Sequence, residues 1–440
     1  MWKAVLLLFL YVTLILSPLV LGAIWGPQFG NSLLYEIGKS FALMGFMILA
    51  LQAVLAGRFK WITQHFGFDI LIRFHKYMGL FGVLLIMAHP VLLALGGAGW
   101  WLFISADVRW YIWVAKAVLT LVLLNIILSL FHRRFRLKFE TWRHYHDILA
   151  PIIFTLSFLH SRFAGGDFVV VPLQWLWGVM LGLAISVFVY HRLVRPWRLS
   201  RRPYRVVDVK QESQTVWTVK LAPPKGERCY DYLPGQFHFL TFHRGRNLPV
   251  EEHHWTISSS PSEMDTISST IKELGDFTAT IGQTKPGDTA TAHGAFGRFS
   301  YVLHQDERDL VFIAGSIGIT PLMSMLRHMC DTQSTISVLL LYGNRSEEDI
   351  VFRQELSEIE AGGSPRLKVV HVLSKPTESW CGETGRIDGQ KIQEFCGRNL
   401  REKAYYICGP PAMISATIKN LRDFSVANAQ IHVEVFAFLD

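Results

Sequence analysis

HKYMGLFGVLLIMAH (residues 75–89) and HDILAPIIFTLSFLH (residues 146–160) decide the fold, because each is an apolar run that opens and closes on a histidine. The members of each pair stand fourteen residues apart. That is close to four helical turns, so both imidazoles of a run share one helix face, about 21 Å apart along the axis. A single histidine in such a run reads as an interior polar group bonded to a neighbour or lining a proton path. Two pairs at one spacing, drawn from 17 histidines in 440 residues, are not expected by chance. Acidic partners for a proton relay are nearly absent from these runs.

Working outward, six apolar stretches appear at about 4–25, 36–56, 71–95, 110–131, 145–163 and 171–194. Each approaches the roughly 20 residues needed to cross a bilayer. Half the chain is hydrophobic and only 18% is charged, against about 25% in a soluble domain, which excludes a single small globular fold. Basic residues gather between stretches two and three (Arg58, Lys60, Arg73), between four and five (Arg133, Arg134, Arg136, Lys138, Arg143), and after six (Arg192, Arg195, Arg198, Arg201, Arg202). The positive-inside rule then predicts a multi-pass protein of the plasma (inner) membrane with both termini cytoplasmic and odd-numbered spans running outward. The first stretch also fits a signal peptide, since Lys3 precedes an apolar run broken at Ser17 and Pro18, but it lacks a small-x-small cleavage site. Spans three and five run the same way, so His75 is level with His146 near the inner surface and His89 with His160 near the outer one. That is the geometry for two bis-histidine b-type haems stacked across the membrane. His132 and His144 are expected to lie in the interfacial loop without ligating.

The net charge of +8 sits largely beside the apolar runs, where it reports topology, and no nucleic-acid partner is expected. The five cysteines (Cys229, Cys330, Cys381, Cys396, Cys408) include no CxxC pair, which argues against an iron–sulfur cluster, a zinc ribbon or a disulfide scaffold. From Pro203 the pattern becomes strand-like, with turns at Pro223-Pro224, Pro234-Gly235 and Lys285–Asp288, as in a small antiparallel barrel ending near 303. After Asp309, LVFIAG, TPLMSMLRHM, ISVLLLYG, a helix near 351–361, LKVVHVL, AYYICG, a helix from Pro411 and a terminal IHVEVFAF read as an open parallel α/β sheet of the nucleotide-binding type.

The order of these parts, six spans with paired histidines on the third and fifth followed by a ferredoxin-reductase-like module, resembles the ferric reductase and NADPH oxidase superfamily over essentially the whole chain. The resemblance implies a multidomain membrane protein: a di-haem transmembrane domain over 1–198, an FAD-binding barrel over 199–305 and a Rossmann-like NAD(P)-binding domain over 306–440. His253-His254-Trp255-Thr256-Ile257-Ser258-Ser259 is similar to the oxidase HPFT[IL][ST]S segment along the flavin, with His254 at the usual Pro and Trp255 at the usual Phe. Trp255 offers a flat face for an isoalloxazine, Thr256 and Ser258 offer hydroxyls, and His253 is a donor where soluble reductases often use Arg. Ile271-Lys272-Glu273-Leu274-Gly275-Asp276-Phe277-Thr278 is similar to the family's pyrophosphate cradle, where Gly275 permits close backbone approach and Lys272 and Thr278 supply charge and hydroxyl. The resemblance favours FAD over FMN.

Gly315-Ser316-Ile317-Gly318-Ile319-Thr320-Pro321 follows a strand and opens a helix, so Gly315 and Gly318 let a dinucleotide approach the helix N-terminus, with Thr320 and Pro321 completing the family's GITP pattern. Cys408-Gly409-Pro410 matches the family's CGP motif and implies Cys408 beside the nicotinamide; a small buried thiol is the plainer reading. Arg345 with Ser346 suits the 2′-phosphate of NADPH, while Glu347, Glu348 and Asp349 keep NADH open. Glu434-Val435-Phe436-Ala437-Phe438 matches the ending of bacterial relatives, implying Phe436 over the flavin and Glu434 near the hydride path; a buried last strand explains the phenylalanines as well.

The expected activity is electron transfer from cytosolic NAD(P)H through FAD, the inner haem and the outer haem to dioxygen or a ferric chelate outside. Oxidases of the family often carry a second His one turn past the outer ligand, where this chain has Leu93. Trp100, Trp101, Arg109 and Arg162 fall on the outer side, where they also read as interfacial anchors. The competing readings are a donor to a periplasmic partner protein, a membrane-anchored flavin reductase with cytosolic acceptors, and a haem sensor that oxidises no NAD(P)H.

Overall fold

Residues 2–26, 31–164 and 166–435 are described by a computed structural model. They form two compact units, Met1–Pro196 and Trp197–Asp440. The first is helical: α1 (Trp2–Trp25), α2 (Leu33–Ala56), α3 (Lys60–Phe66), α4 (Phe68–Leu93), α5 (Trp101–Ile104), α6 (Trp110–Phe131), α7 (Phe139–Ala164), α8 (Val171–Val189) and α9 (Arg195–Ser200), which runs on across the boundary. Six of these, counting α4 through Ala98 and α8 through Ser200, are long and apolar enough to cross a membrane. They coincide with the six apolar stretches, and α7 begins earlier, at Phe139, because its first turns are polar, with Glu140 paired to Arg143 at 3.0 Å, and add no apolar length.

Small residues set the spacing of the bundle. A Cβ on Gly45 of α2 would meet Ile86 Cγ1 at 2.7 Å, and one on Gly82 of α4 would meet Ile48 Cγ2 at 2.9 Å, so these glycines let the two helices close on each other. Between the histidine levels, Phe46 stacks on Phe154 at 4.6 Å and on Trp177 at 4.7 Å, tying α2, α7 and α8 together. Trp177 is fully buried and its Nε1 donates to Ser161 Oγ at 3.0 Å. Outward-facing apolar side chains such as Leu84 (63% exposed) and Trp175 (73%) have the placement of lipid-facing groups.

The second unit holds two sheets. Strands β1 (Tyr204–Ser213), β2 (Val216–Ala222), β3 (Phe237–His243), β4 (Glu252–Thr256), β5 (Ile267–Lys272) and β6 (Thr289–Phe296) make an antiparallel sheet in the order β4-β3-β6-β1-β2-β5. Past β4 the Ser258 N–H donates to Ser268 O at 2.8 Å, linking the two ends of the sheet around a core of Leu240, Phe242, Ile257, Ile271 and Ile281. The second sheet is parallel, β10 (Glu383–Thr384), β9 (Arg366–Leu373), β8 (Ser337–Asn344), β7 (Asp309–Gly315), β11 (Ala404–Cys408) and β12 (Ile431–Glu434), in that order. Residues Leu310 to Ala314 are all fully buried because both faces are covered. Leu310, Phe312 and Ala314 pack toward α10 (Ile319–Asp331) and α11 (Arg353–Gly362), and Val311 and Ile313 toward α12 (Gly389–Cys396) and α13 (Pro411–Asp423). Helix α12 is an addition to the sequence expectation. It is short, buries only Ile392 and Cys396, and is started by Asp388, whose carboxylate accepts from the Lys391 N–H.

Candidate functional site

The histidine levels are built by α4 and α7. His75 and His146 face each other with ring centres 6.3 Å apart and ring planes at 76°. A metal shared by two imidazoles, with bonds of about 2 Å each, needs ring centres roughly 6 Å apart, so this pair fits an axially ligated iron. Three of the four have the other ring nitrogen tethered, whereas His75 Nδ1 is buried without a hydrogen-bond partner among the described residues. His89 Nδ1 donates to Gly38 O at 2.9 Å and His160 Nδ1 to Tyr111 O at 2.9 Å; His146 Nδ1 is 3.1 Å from Asn125 Oδ1. The Gly38 and Tyr111 carbonyls only accept, so in His89 and His160 the proton sits on Nδ1 and the lone pair on Nε2, the state a metal ligand requires. The His75–His146 pair thus has the spacing, and His89 and His160 the tautomer, of metal-ligating imidazoles. His132 instead stacks on Trp142 at 5.1 Å.

On the antiparallel sheet, His253 and Trp255 project from one side of β4 with ring centres 5.6 Å apart, and Phe277 completes the group at 4.3 Å from His253. The Trp255 Nε1 is buried without a hydrogen-bond partner, a donor that a flavin at this surface would satisfy. His253 Nε2 lies 2.9 Å from Glu251 Oε2. Thr256 and Ser258 are buried, and the Ser258 hydroxyl is 3.0 Å from Thr270 Oγ1, so it serves the barrel wall. Ile271 is a core residue and Lys272 Nζ donates to Ser316 Oγ at 2.8 Å, linking the flavin strand to the nucleotide loop. Thr278 Oγ1 accepts from the Leu274 and Gly275 N–H groups, both at 2.8 Å, and thereby shapes the loop. A Cβ on Gly275 would meet nothing within 4 Å, which leaves its backbone open to a ligand.

The nucleotide motifs converge at the carboxyl ends of β7 and β11, where the strand order turns from the β8 side to the β12 side, the switch point at which such sheets bind ligands. Cys408 is in register with Ala314. A Cβ on Gly318 would collide with the Cys408 carbonyl, and one on Gly315 would meet Met413 Sδ and Pro410 Cδ at 2.7 Å, so the two loops abut backbone to backbone, Gly409 against Gly315. Ser316 takes φ of 51°, a left-handed conformation that costs a non-glycine residue about 1–3 kcal/mol and marks a constrained loop. Thr320 Oγ1 donates to Ile317 O at 3.0 Å, and Thr320 and Pro321 are buried at the head of α10. Cys408 has no exposure; burial, with Glu434 adding to it, pushes its thiol well up and keeps it neutral. Arg345 is exposed at the end of β8, while Ser346 is spent on a capping box with Asp349. Phe436 lies outside the described residues.

Several functional positions carry no motif. Gly38 and Tyr111 act through backbone carbonyls, which every residue has. Asn125 did leave a signal, as a lone amide in the apolar run of α6. Arg244, nine-tenths buried, donates to Thr280 O at 2.9 Å and Thr280 Oγ1 at 3.0 Å and lies over Phe277 at 4.9 Å, bracing the loop that follows Gly275. Arg327 of α10 donates to Ser258 O at 2.5 Å and forks onto Glu355 at 2.7 Å, joining the two sheets' modules.

Three family models match the chain: ferric reductase like transmembrane component over residues 41–157, FAD-binding domain over 201–285, and oxidoreductase NAD-binding domain over 312–419. Among curated proteins, the chain is 36% identical over 170 residues to nitrate reductase (NADPH) of Emericella nidulans, covering 36% of this chain and 20% of that protein. It is 30% identical over 165 residues to cytochrome b5 reductase 4 of Rattus norvegicus (37% and 32% covered), and 25% over 248 residues to a flavohemoprotein of Oceanobacillus iheyensis (54% and 60%). The chain therefore spans between a fifth and three fifths of the length of these relatives. A solved flavohem-like FAD/NAD binding domain of nitric oxide dioxygenase from Vibrio cholerae overlays with a TM-score of 0.48 at 21% identity, covering 53% of this chain and 98% of that one. By its domains the chain is a membrane flavoprotein oxidoreductase of ferric reductase/NADPH oxidase-like architecture, with FAD- and NAD(P)-binding modules.

Proposed function

We propose that this protein moves electrons from cytosolic NAD(P)H across the plasma membrane to an acceptor outside, dioxygen or a ferric chelate. The observation that carries the reading is the 6.3 Å separation of the His75 and His146 rings on two neighbouring spans. His75 with His146 would hold an inner haem and His89 with His160 an outer one. When bound, FAD would take a hydride from NAD(P)H and give up its two electrons singly while the proton leaves to solvent, and haem iron would pass one electron at a time. The chain's own residues do the positioning. Gly38, Tyr111 and Asn125 hold the imidazole protons on Nδ1; Trp255, His253 and the Gly275 loop present a flavin surface; and Gly315, Gly318, Gly409 and Pro410 form the floor for a dinucleotide, with Thr320 and Pro321 starting the helix behind it. Cys408 and Glu434 border that floor, and the neutral thiol adds no charge beside the nicotinamide. In this reading the domains divide at about 198 and 305, the termini are cytoplasmic, and Arg345 selects NADPH over NADH. With a negative interior, each outward electron gains about 2.3 kcal/mol per 100 mV.

The test is anaerobic addition of NADPH to the purified, cofactor-loaded chain, watching flavin bleaching and the reduced-haem bands, followed by acceptor screening with oxygen and ferric chelates. Flavin reduction should precede haem reduction. His89→Ala should keep flavin reduction and lose delivery outward. A sample that oxidises NADPH yet shows no haem spectrum would instead be a membrane-anchored flavin reductase.

A further inference from the structure

Away from the nucleotide floor, three side chains with metal-ligand chemistry meet around one point: His304, Glu307 and His432, whose donor atoms all lie within 4.8 Å of one another. His432 Nε2 is 2.7 Å from Glu307 Oε1, and His304 Nδ1 is 4.0 Å from the same oxygen. The two imidazoles lie side by side with ring centres 4.1 Å apart. The cluster is built before any ion arrives. His304 and Glu307 close a turn in which the Glu307 N–H donates to His304 O at 3.1 Å, so two donors come from one tight loop at little entropic cost. The third comes from β12, 125 residues on, where His432 is the register partner of Tyr406. Tyr406 donates its hydroxyl to Glu307 Oε2 at 2.6 Å, which orients the carboxylate and leaves Oε1 toward the histidines. The three side chains keep 34%, 17% and 14% of their exposure, so an ion has a way in and a solvent molecule can complete its shell.

We propose that His304, Glu307 and His432 form a divalent-metal site suited to Zn²⁺, with Tyr406 as the group that positions Glu307. Two imidazoles and one carboxylate with an open position are a zinc donor set. The ion replaces the proton between His432 Nε2 and Glu307 Oε1, and that proton leaves to solvent. Its consequence is mechanical. β12 is an edge strand bonded to β11 alone, and the ion clips it to the turn that precedes β7. Glu434, two residues on and on the same strand face, lies about 7 Å further along. The site is independent of the histidines on α4 and α7, and its test does not depend on electron transfer.

The test is Zn²⁺ binding to the full-length, haem- and flavin-loaded chain in detergent by equilibrium dialysis, with hydrogen exchange of residues 431–434 followed in parallel. One tight Zn²⁺ per chain is expected, with slower exchange in β12. His304→Ala, His432→Ala and Glu307→Gln should each weaken binding at least about tenfold, and Tyr406→Phe by about tenfold. X-ray absorption of the zinc-loaded wild type should show two imidazoles and oxygen donors, a readout that stands even where a variant fails to fold. Wild-type protein that holds no zinc, variants that bind as tightly as wild type, or a zinc shell with sulfur or fewer than two imidazoles would each overturn the site.

Discussion

The membrane unit and the reductase unit build their sites from opposite parts of the chain. In the helices the candidate groups are side chains, four imidazoles on two rigid spans, and the backbone supplies the Gly38 and Tyr111 carbonyls that orient His89 and His160. In the reductase unit the nucleotide floor is backbone, glycines at strand ends packed so closely that no Cβ fits, and the side chains brace it from behind. A helix lends rigidity to any side chain it carries, because each residue is bonded along the axis. A loop gains the same precision only when neighbouring loops pin it.

The sharpest way to break this contrast is to remove a single imidazole. His146→Leu should halve the haem content and take outward electron transfer to background while flavin reduction by NADPH continues, read as pyridine haemochrome per flavin and by stopped-flow absorbance. The matching insult to the reductase unit is a side chain where backbone belongs. Gly318→Val drives a Cβ into the Cys408 carbonyl; at about 1–3 kcal/mol of overpacking it should cut NAD(P)H oxidation by roughly five- to a hundredfold and leave haem binding untouched. Arg244→Met, which deletes the brace under the loop that follows Gly275, should cost about 1–3 kcal/mol and weaken flavin retention roughly tenfold or more, measured as FAD lost on gel filtration. Arg345→Ala should raise the KM for NADPH about tenfold and leave that for NADH unchanged.

The smallest effect concerns pH. His238, fully buried in β3 between Tyr230 and Ser269 Oγ (2.7 Å), is held down at about 3 by burial, against an ordinary 6.5. The unfolded chain therefore binds a proton over that interval that the folded chain refuses. This contribution to stability is complete above pH 6.5 and is lost progressively as pH falls toward 3. Urea midpoints of flavin release should drop between pH 7 and pH 5, and His238→Gln should flatten the drop.

Much of this was legible because it is periodic or local. The fourteen-residue histidine spacing, the six apolar lengths, and GSIGITP and CGP each specify their own surroundings: a helix face, a span, a strand-to-helix turn. The less legible parts are those whose meaning depends on a distant partner. Ser258 and Thr278 fit flavin motifs by residue type, but the partner each hydroxyl meets, Thr270 for one and the Leu274 amide for the other, is set by the fold. Arg244 and Arg327 had no motif and became braces because remote carbonyls were brought to them. Helix α12 hid because two buried residues make too weak a period to see.

Sequence alone determined the order of the parts, the fourteen-residue spacing of the histidines along each span and the strand-end glycines, since hydrophobic length and helical pitch need nothing beyond the neighbouring residues. The tertiary structure decided which nitrogen of His89 and His160 carries the proton, which partners the Ser258 and Thr278 hydroxyls meet, and that His432 meets Glu307 across 125 residues. Those outcomes depend on partners that only packing brings within reach, and no local pattern records them.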